Sequence, residues 1–420
     1  MTGKGARLSK EFPKDFVWGV AAAGHQIEGF NTQSDLWFCE NLPGSVFNEP
    51  SGIACDSYNR WAEDLDIVKA IGVNCYRMSI EWARIQPTED TFDDKEFAHY
   101  EAVIDGCIKR GLKVNLTMNH FASPHWFAAK AGWLNPEAPQ LFAKYCAEVA
   151  KRLGAKVDYI VTFNEPNISQ LLGTFNLPAF VAEANARTLN GAAEKAGVET
   201  YRCSNVMLEE DYVPYGKAME LGHSAAVKAI KAVLPNKPVG LSIAMLDDDL
   251  VTPDTDPTVR DAKREFVYGP WLRLAQHDDF MGVQNYERLV YDANGPLPAP
   301  EGARKTGFGN LLDATSLANC IEYAHSITGK PIMVTEHGVN SEDDTDREWI
   351  ITESLKHVAD LIEKGVPVWG YTHWSFLDNF EWIFGYGPKF GLCSVNRETM
   401  ERTRKPSSYV LGAIATANAI

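Results

Sequence analysis

The sequence predicts an α/β chain closed into a single (β/α)8, or TIM, barrel, and three observations predict it. Eight short β-branched or apolar runs alternate with longer amphipathic stretches along the 420 residues. That is the rhythm of strands joined by crossover helices in a parallel sheet. No glycine loop with phosphate-binding spacing follows the first run. Gly19-Val20-Ala21-Ala22-Ala23-Gly24 lacks that spacing, and Gly307-Phe308-Gly309 fails too, whereas an open doubly wound sheet would want such a loop. Polar residues gather at or just beyond the ends of the runs: Arg77, His120, Asn164, Glu165, Asn285, Tyr286, Glu336 and Trp374. A barrel carries its chemistry at those ends.

Taken in order, the expected strands are 16–21, 73–79, 113–119, 157–163, 239–243, 281–286, 332–335 and 368–373. Expected helices are 57–70, 95–110, 136–152, 216–232, 311–328, 347–364 and 406–417. Pro136 reads as a first-turn proline behind Asn135 as cap. Gly72, Gly111, Gly154 and Gly365 follow helical stretches as C-terminal glycines do. No repeat, low-complexity tract or linker divides the chain, so residues 1–420 are expected to form one catalytic barrel domain. A chain of this length buries roughly three-quarters of its unfolded surface, enough for one large core.

Charge narrows the partners. The 40 basic and 56 acidic residues leave a net charge of −16, which disfavours phosphate backbones and anionic membranes. Nucleic acid and membrane are therefore excluded as expected partners, and a neutral small molecule fits better. The eight cysteines form no C-x-x-C pair and no zinc-type spacing, which reads as reduced thiols of a cytoplasmic protein. The opening residues carry charge where a signal peptide would be apolar. Self-association is left open. The 11 Trp residues suit either a large core or a pocket that stacks rings.

Two carboxylates stand out. Glu165 sits in Thr162-Phe163-Asn164-Glu165-Pro166 and Glu336 in Val334-Thr335-Glu336-His337-Gly338, each closing an apolar strand. In a barrel the ends of the fourth and seventh strands face each other across the mouth. Glycoside cleavage requires two opposed carboxyls, one to protonate the leaving oxygen and one to attack the anomeric carbon or activate water. A lone glutamate at a strand end is a solvated carboxylate by default. The pair at these strands carries the signal.

The sequence resembles glycoside hydrolase family 1, the β-glucosidase and β-galactosidase family, over nearly its whole length. The motifs are Phe12 to Gly19, Gln26-Ile27-Glu28-Gly29, Tyr76-Arg77-Met78-Ser79-Ile80, Asn119-His120-Phe121, Thr162 to Pro166, Asn285-Tyr286, Thr335 to Gly338 and Trp374 to Trp382. The resemblance implies a retaining exo-β-glycosidase with Glu336 as nucleophile and Glu165 as acid and base. It implies that Gln26, His120, Asn164, Glu381 and Trp382 hydrogen-bond the non-reducing sugar, with Trp374 as the floor beneath its ring. Arg77, Tyr286 and Asn285 would support the nucleophile. An adjacent guanidinium lowers the pKa of Glu336, and the Glu336 charge raises that of Glu165. No metal or organic cofactor is implied. The preferred substrate is a β-glucoside, with a galacto or fuco preference as the alternative. An endo-acting barrel glycosidase and a sugar-binding pseudoenzyme are the competing classes.

The sequence departs from the family pattern at His337 (commonly Asn), Phe121 (commonly Trp), His25 and Glu81, and in 201–215 with Glu209, Glu210 and Asp211. That stretch, with 170–185 and 246–260, is expected to form loops on the leaving-group side. Relatives that cleave phosphorylated sugars place Ser at the position of Glu381 and a lysine nearby. Glu381 argues against phosphate here, and Lys389 reads as a surface lysine. Asp247-Asp248-Asp249, with Asp254 and Asp256, reads as a solvated acidic loop, since no EF-hand spacing follows. His120 and His125 lack metal spacing, and His373 reads as a core histidine bonded to a neighbour.

Overall fold

The eight apolar runs are strands, each almost wholly buried, as parallel strands sheathed by helices must be. A computed structural model describes residues 10–175 and 178–420. The strands are β1 (Val17–Ala21), β2 (Cys75–Ser79), β3 (Lys113–Asn119), β4 (Tyr159–Asn164), β5 (Val239–Ala244), β6 (Phe280–Asn285), β7 (Ile332–His337) and β8 (Val368–Trp374). All neighbours pair in parallel, and β8 pairs β1 to close the barrel. One helix backs each strand: α1 (Ser57–Ile71), α2 (Asp94–Lys109), α3 (Ala138–Arg152), α4 (Tyr212–Val233), α5 (Gly269–Ala275), α6 (Ser316–Thr328), α7 (Asp344–Glu363) and α8 (Pro406–Ala417). Among the described residues no helix is long and apolar enough to cross a membrane. The opening residues, read above for their charge, lie outside the described residues up to Ser9.

Register places the strand ends. Ala21 pairs with both Trp374 and Arg77, Asn164 with Ser242, and Glu336 with Gln284. The β6–β7 ladder shifts between Val334 and Glu336. A bulge of this kind re-aims a side chain.

Several local expectations are corrected. Helix α3 begins at Ala138, not at Pro136, and its first-turn proline is Pro139. Asn135 Oδ1 instead accepts from the Glu137 N–H at 2.9 Å, in the turn before the helix. Gly72 does end α1 in the left-handed region, at φ 102°. Gly154 does not adopt a positive φ. It is small because a Cβ there would come within 2.4 Å of Leu234 Cδ1. Residues 311–315 do not begin α6; Leu311 bridges Arg288 and Lys305 instead.

The loop regions hold more structure than their composition suggested. A helix spans Ala179–Ala196 and buries Thr188, Leu189 and Ala192. Its small, alanine-rich apolar face offers little hydrophobic contrast to read. A strand, Asp247–Leu250, pairs with Arg288–Tyr291. Asp247 and Asp248 are therefore not a solvated acidic loop. Asp248 is buried and salt-bridged to Lys263 at 2.6 Å, and Asp247 to Arg288 at 2.6 Å. Counter-charges distant in sequence hid this from inspection of the run itself.

Candidate active site

At the carboxyl end of the barrel a cleft of about 220 Å³ opens. It is lined by Glu165, Glu336, Glu381, His120, Asn164 and Tyr286 among its polar groups and by Trp374 and Trp382 among its rings. The two acids thus reach one cleft from β4 and β7. Glu165 follows the last residue of β4 and adopts φ 47°. Its backbone N–H donates to Ser242 O at 2.8 Å, and its carbonyl accepts from Ile168. A left-handed glutamate is uncommon and occurs where the surrounding structure over-determines it.

Glu336 is the better-bonded of the two. Arg77 Nη1 donates to its Oε1 at 2.5 Å and to Thr335 O at 3.1 Å, and the Tyr286 hydroxyl donates to its Oε2. Arg77 Nη2 donates to Asn164 Oδ1 at 2.6 Å, where Gln284 Nε2 also donates, at 2.6 Å. These bonds consume the Asn164 carbonyl and turn its amide NH2 to other partners. Arg77 is the third of five residues in β2, two short of the strand end where the sequence reading put it. The length of its side chain carries the guanidinium up to the cleft.

Electrostatics separates the pair. Burial pushes Glu165 well above the ordinary carboxylate range; the Glu336 charge pushes the same way and Arg77 opposes. Burial also raises Glu336, although Arg77 and Tyr286 pull it down. Arg77 does lower Glu336, as expected, but burial outweighs it and leaves the carboxyl raised overall. Among the described residues Glu336 has side-chain donors and Glu165 has none, which favours the charge on Glu336 and the proton on Glu165. Burial holds His120 neutral, aided by Arg77, so its ring both donates and accepts.

The aromatic groups are organised as a stack. The His120 ring lies 5.5 Å from Trp374 and 6.0 Å from Trp382, each tilted by 18°. His25 also stacks on Trp382, at 5.8 Å and 7°. Burial pushes Glu381 up to about 8, assisted by the Glu336 charge, and Asn379 Nδ2 donates to its Oε1 at 3.1 Å. Gln26 Nε2 donates to Phe380 O at 2.7 Å, while its Oε1 is buried with no partner among the described residues.

Asn285 is not brought to Glu336. Its Nδ2 donates to Met245 O and Glu287 O, both at 3.1 Å, and its Oδ1 accepts from Ser316 at 2.9 Å. It ties the β6 end to α6. Lys389 Nζ donates to Tyr386 O at 2.6 Å. His373 bonds Tyr371 at 3.2 Å, and Tyr371 also bonds His337 at 2.9 Å. Sequence reasoning missed Gln284, which braces Asn164, and the cleft residues Glu287, Thr306, Phe308, Asn340 and Phe384. Phe308 had been considered only as part of a failed glycine loop. No motif marks Gln284 within β6, and the other residues come from segments beyond the barrel strands whose paths the sequence does not disclose.

A closed parallel barrel with a buried Glu336 and a half-buried Glu165 lining one ring-lined cleft has the plan of a barrel O-glycosyl hydrolase. The model of glycosyl hydrolase family 1 matches residues 8–272 and 273–420, and the chain belongs to that family. A β-glucosidase of Agrobacterium sp. (strain ATCC 21400) is 31% identical over 469 residues, covering 97% of this chain and 96% of the relative. A bifunctional β-D-glucosidase/β-D-fucosidase of Bifidobacterium breve is 28% identical, covering 94% and 96%. Among solved structures, the β-glycosidase BGL167 superimposes with a TM-score of 0.90 at 40% identity, covering 97% of this chain and 98% of that one.

Proposed function

We propose that the chain is a retaining exo-β-glycosidase acting on β-glucosides, with Glu336 as nucleophile and Glu165 as acid and base. The observation that carries the reading is the unequal bonding of the two acids. Arg77 and Tyr286 hold Glu336 charged, as a nucleophile needs to be. Burial and the neighbouring charge keep Glu165 protonated, as a general acid needs to be. Glu165 protonates the glycosidic oxygen while a Glu336 oxygen bonds the anomeric carbon, and the leaving alcohol departs. With Glu336 esterified its charge is gone, Glu165 ionises, and it takes a proton from the water that opens the ester.

The sugar lies on Trp374, whose indole suits the C–H face of a pyranose. The Asn164 amide donates to the 2-hydroxyl, a contact that strengthens in the transition state. Gln26 Oε1, buried without a protein partner, accepts from a further hydroxyl, and His120, Glu381 and Trp382 take the remaining rim. Glu381 and Trp382 close the sugar end, which favours single terminal residues over long internal cuts. The Bifidobacterium relative makes a fucoside preference the alternative on the same chemistry. The described chain serves as one catalytic domain, and its eight buried free thiols suit a cytoplasmic setting.

A panel of nitrophenyl β-glycosides followed by proton NMR tests the reading. The β-anomer of glucose is expected as first product. The α-anomer, or sugar binding with no turnover of any member, would contradict it.

A further inference from the structure

Where its exposed aromatic residues stand, the cleft is amphipathic in a way the proposed chemistry does not use. Phe308 and Phe384 stand 5.4 Å apart, each 48% exposed, at its mouth. Facing the same space are Glu287, Thr306 and Asn340. Glu287 follows Tyr286 and is half-buried. Its Oε1 accepts from Asn310 Nδ2 at 2.8 Å and its Oε2 from Thr306 Oγ1 at 3.2 Å. A carboxylate has about four acceptor sites, so each oxygen keeps capacity for another donor. Among the described residues no cation pairs with it.

We propose that Glu287 is a specificity-determining residue that reads the hydroxyl edge of a second sugar ring, so that the enzyme is built for a saccharide leaving group. The proposal rests on the β-glycosidase reading above and adds the chemistry of the departing half. A pyranose presents a C–H face to Phe308 and Phe384 and a hydroxyl rim to Glu287. Hydroxyl-to-carboxylate bonds are charge-assisted and short. A flat apolar aglycone can use the rings, but it desolvates the Glu287 carboxylate without offering it a donor, which is costly.

The test compares kcat/KM on a β-linked glucose disaccharide with that on a nitrophenyl β-glucoside. Glu287→Ala is expected to lower the disaccharide-to-nitrophenyl ratio by about tenfold or more. Glu287→Gln, which keeps the size and the Thr306 bond, is expected to move the ratio in the same direction. Because Glu287 also holds the 306–310 turn, Asn310→Ala separates the two roles: it loosens the turn and leaves the carboxylate, and the ratio should stay within about tenfold of the unmutated enzyme. An unmoved ratio in both Glu287 variants overturns the proposal. So does a drop in Asn310→Ala as large as in Glu287→Ala, which would give selectivity to the turn. If the unmutated enzyme cleaves neither substrate, it is the β-glycosidase reading that fails.

Discussion

Arg77 joins the two halves of the site: Nη1 donates to Glu336 Oε1 at 2.5 Å and Nη2 to Asn164 Oδ1 at 2.6 Å. One guanidinium thus favours the charged form of the acid on β7 and orients the amide on β4. Arg77→Met removes both effects and leaves Glu336 buried beside a single hydroxyl donor. Removing a preorganised donor at the reacting charge costs about a hundredfold to a thousandfold in rate, so kcat/KM should fall about a hundredfold or more. Without Arg77 the Glu336 carboxyl rises further. The acid limb of the pH–rate profile should then move to higher pH. A fall in rate with no shift of that limb would separate Arg77 from the ionisation of Glu336.

The unmutated enzyme should show a bell-shaped profile. Activity needs Glu336 ionised, so it is lost as pH falls through a value raised above the ordinary 4.5. It needs Glu165 protonated, so it is lost as pH rises through a value well above that range. Glu165→Gln cannot ionise. Its residual activity on a substrate with an activated leaving group should lose the alkaline limb and keep the acid one. Retention of both limbs in kcat/KM would assign the upper ionisation to another group.

Stability should track the buried acids of the Asp247–Leu250 strand. Asp248→Ala strands Lys263, its partner at 2.6 Å, and should cost ~3–5 kcal/mol in denaturant unfolding. Asp254→Ala, at an exposed position of the same acidic stretch, should stay within about 0.5 kcal/mol. Equal, small effects would restore the solvated-loop reading of the whole run.

The barrel was legible because its signals are local. Buried parallel strands are continuous apolar runs, and their ends change abruptly to polar residues. The eight expected strands overlap the eight observed ones, and Glu165 and Glu336 were found by position alone, as residues closing strands. What failed was non-local. The salt-bridge partners of Asp248 and Asp247 lie 15 and 41 residues away. Asn285, expected beside Glu336, spends its bonds on Met245, Glu287 and Ser316, because its side chain leaves the strand away from the cleft. Neither the bracing by Gln284 nor the Phe308–Phe384 pair has any sequence period. The resemblance to glycoside hydrolase family 1 supplied most of the proposed sugar-binding residues; strand-end polarity alone would have nominated Asn285 equally with Asn164.

The unequal roles of the two carboxyls are tested most directly by replacing Glu336 with Ala and adding azide. The account predicts that hydrolysis of an activated β-glucoside collapses, and that azide restores turnover and yields the α-glucosyl azide, because the small anion enters from the face Glu336 vacates. Near-normal hydrolysis by Glu336→Ala, or a β-glucosyl azide as the product, would contradict it.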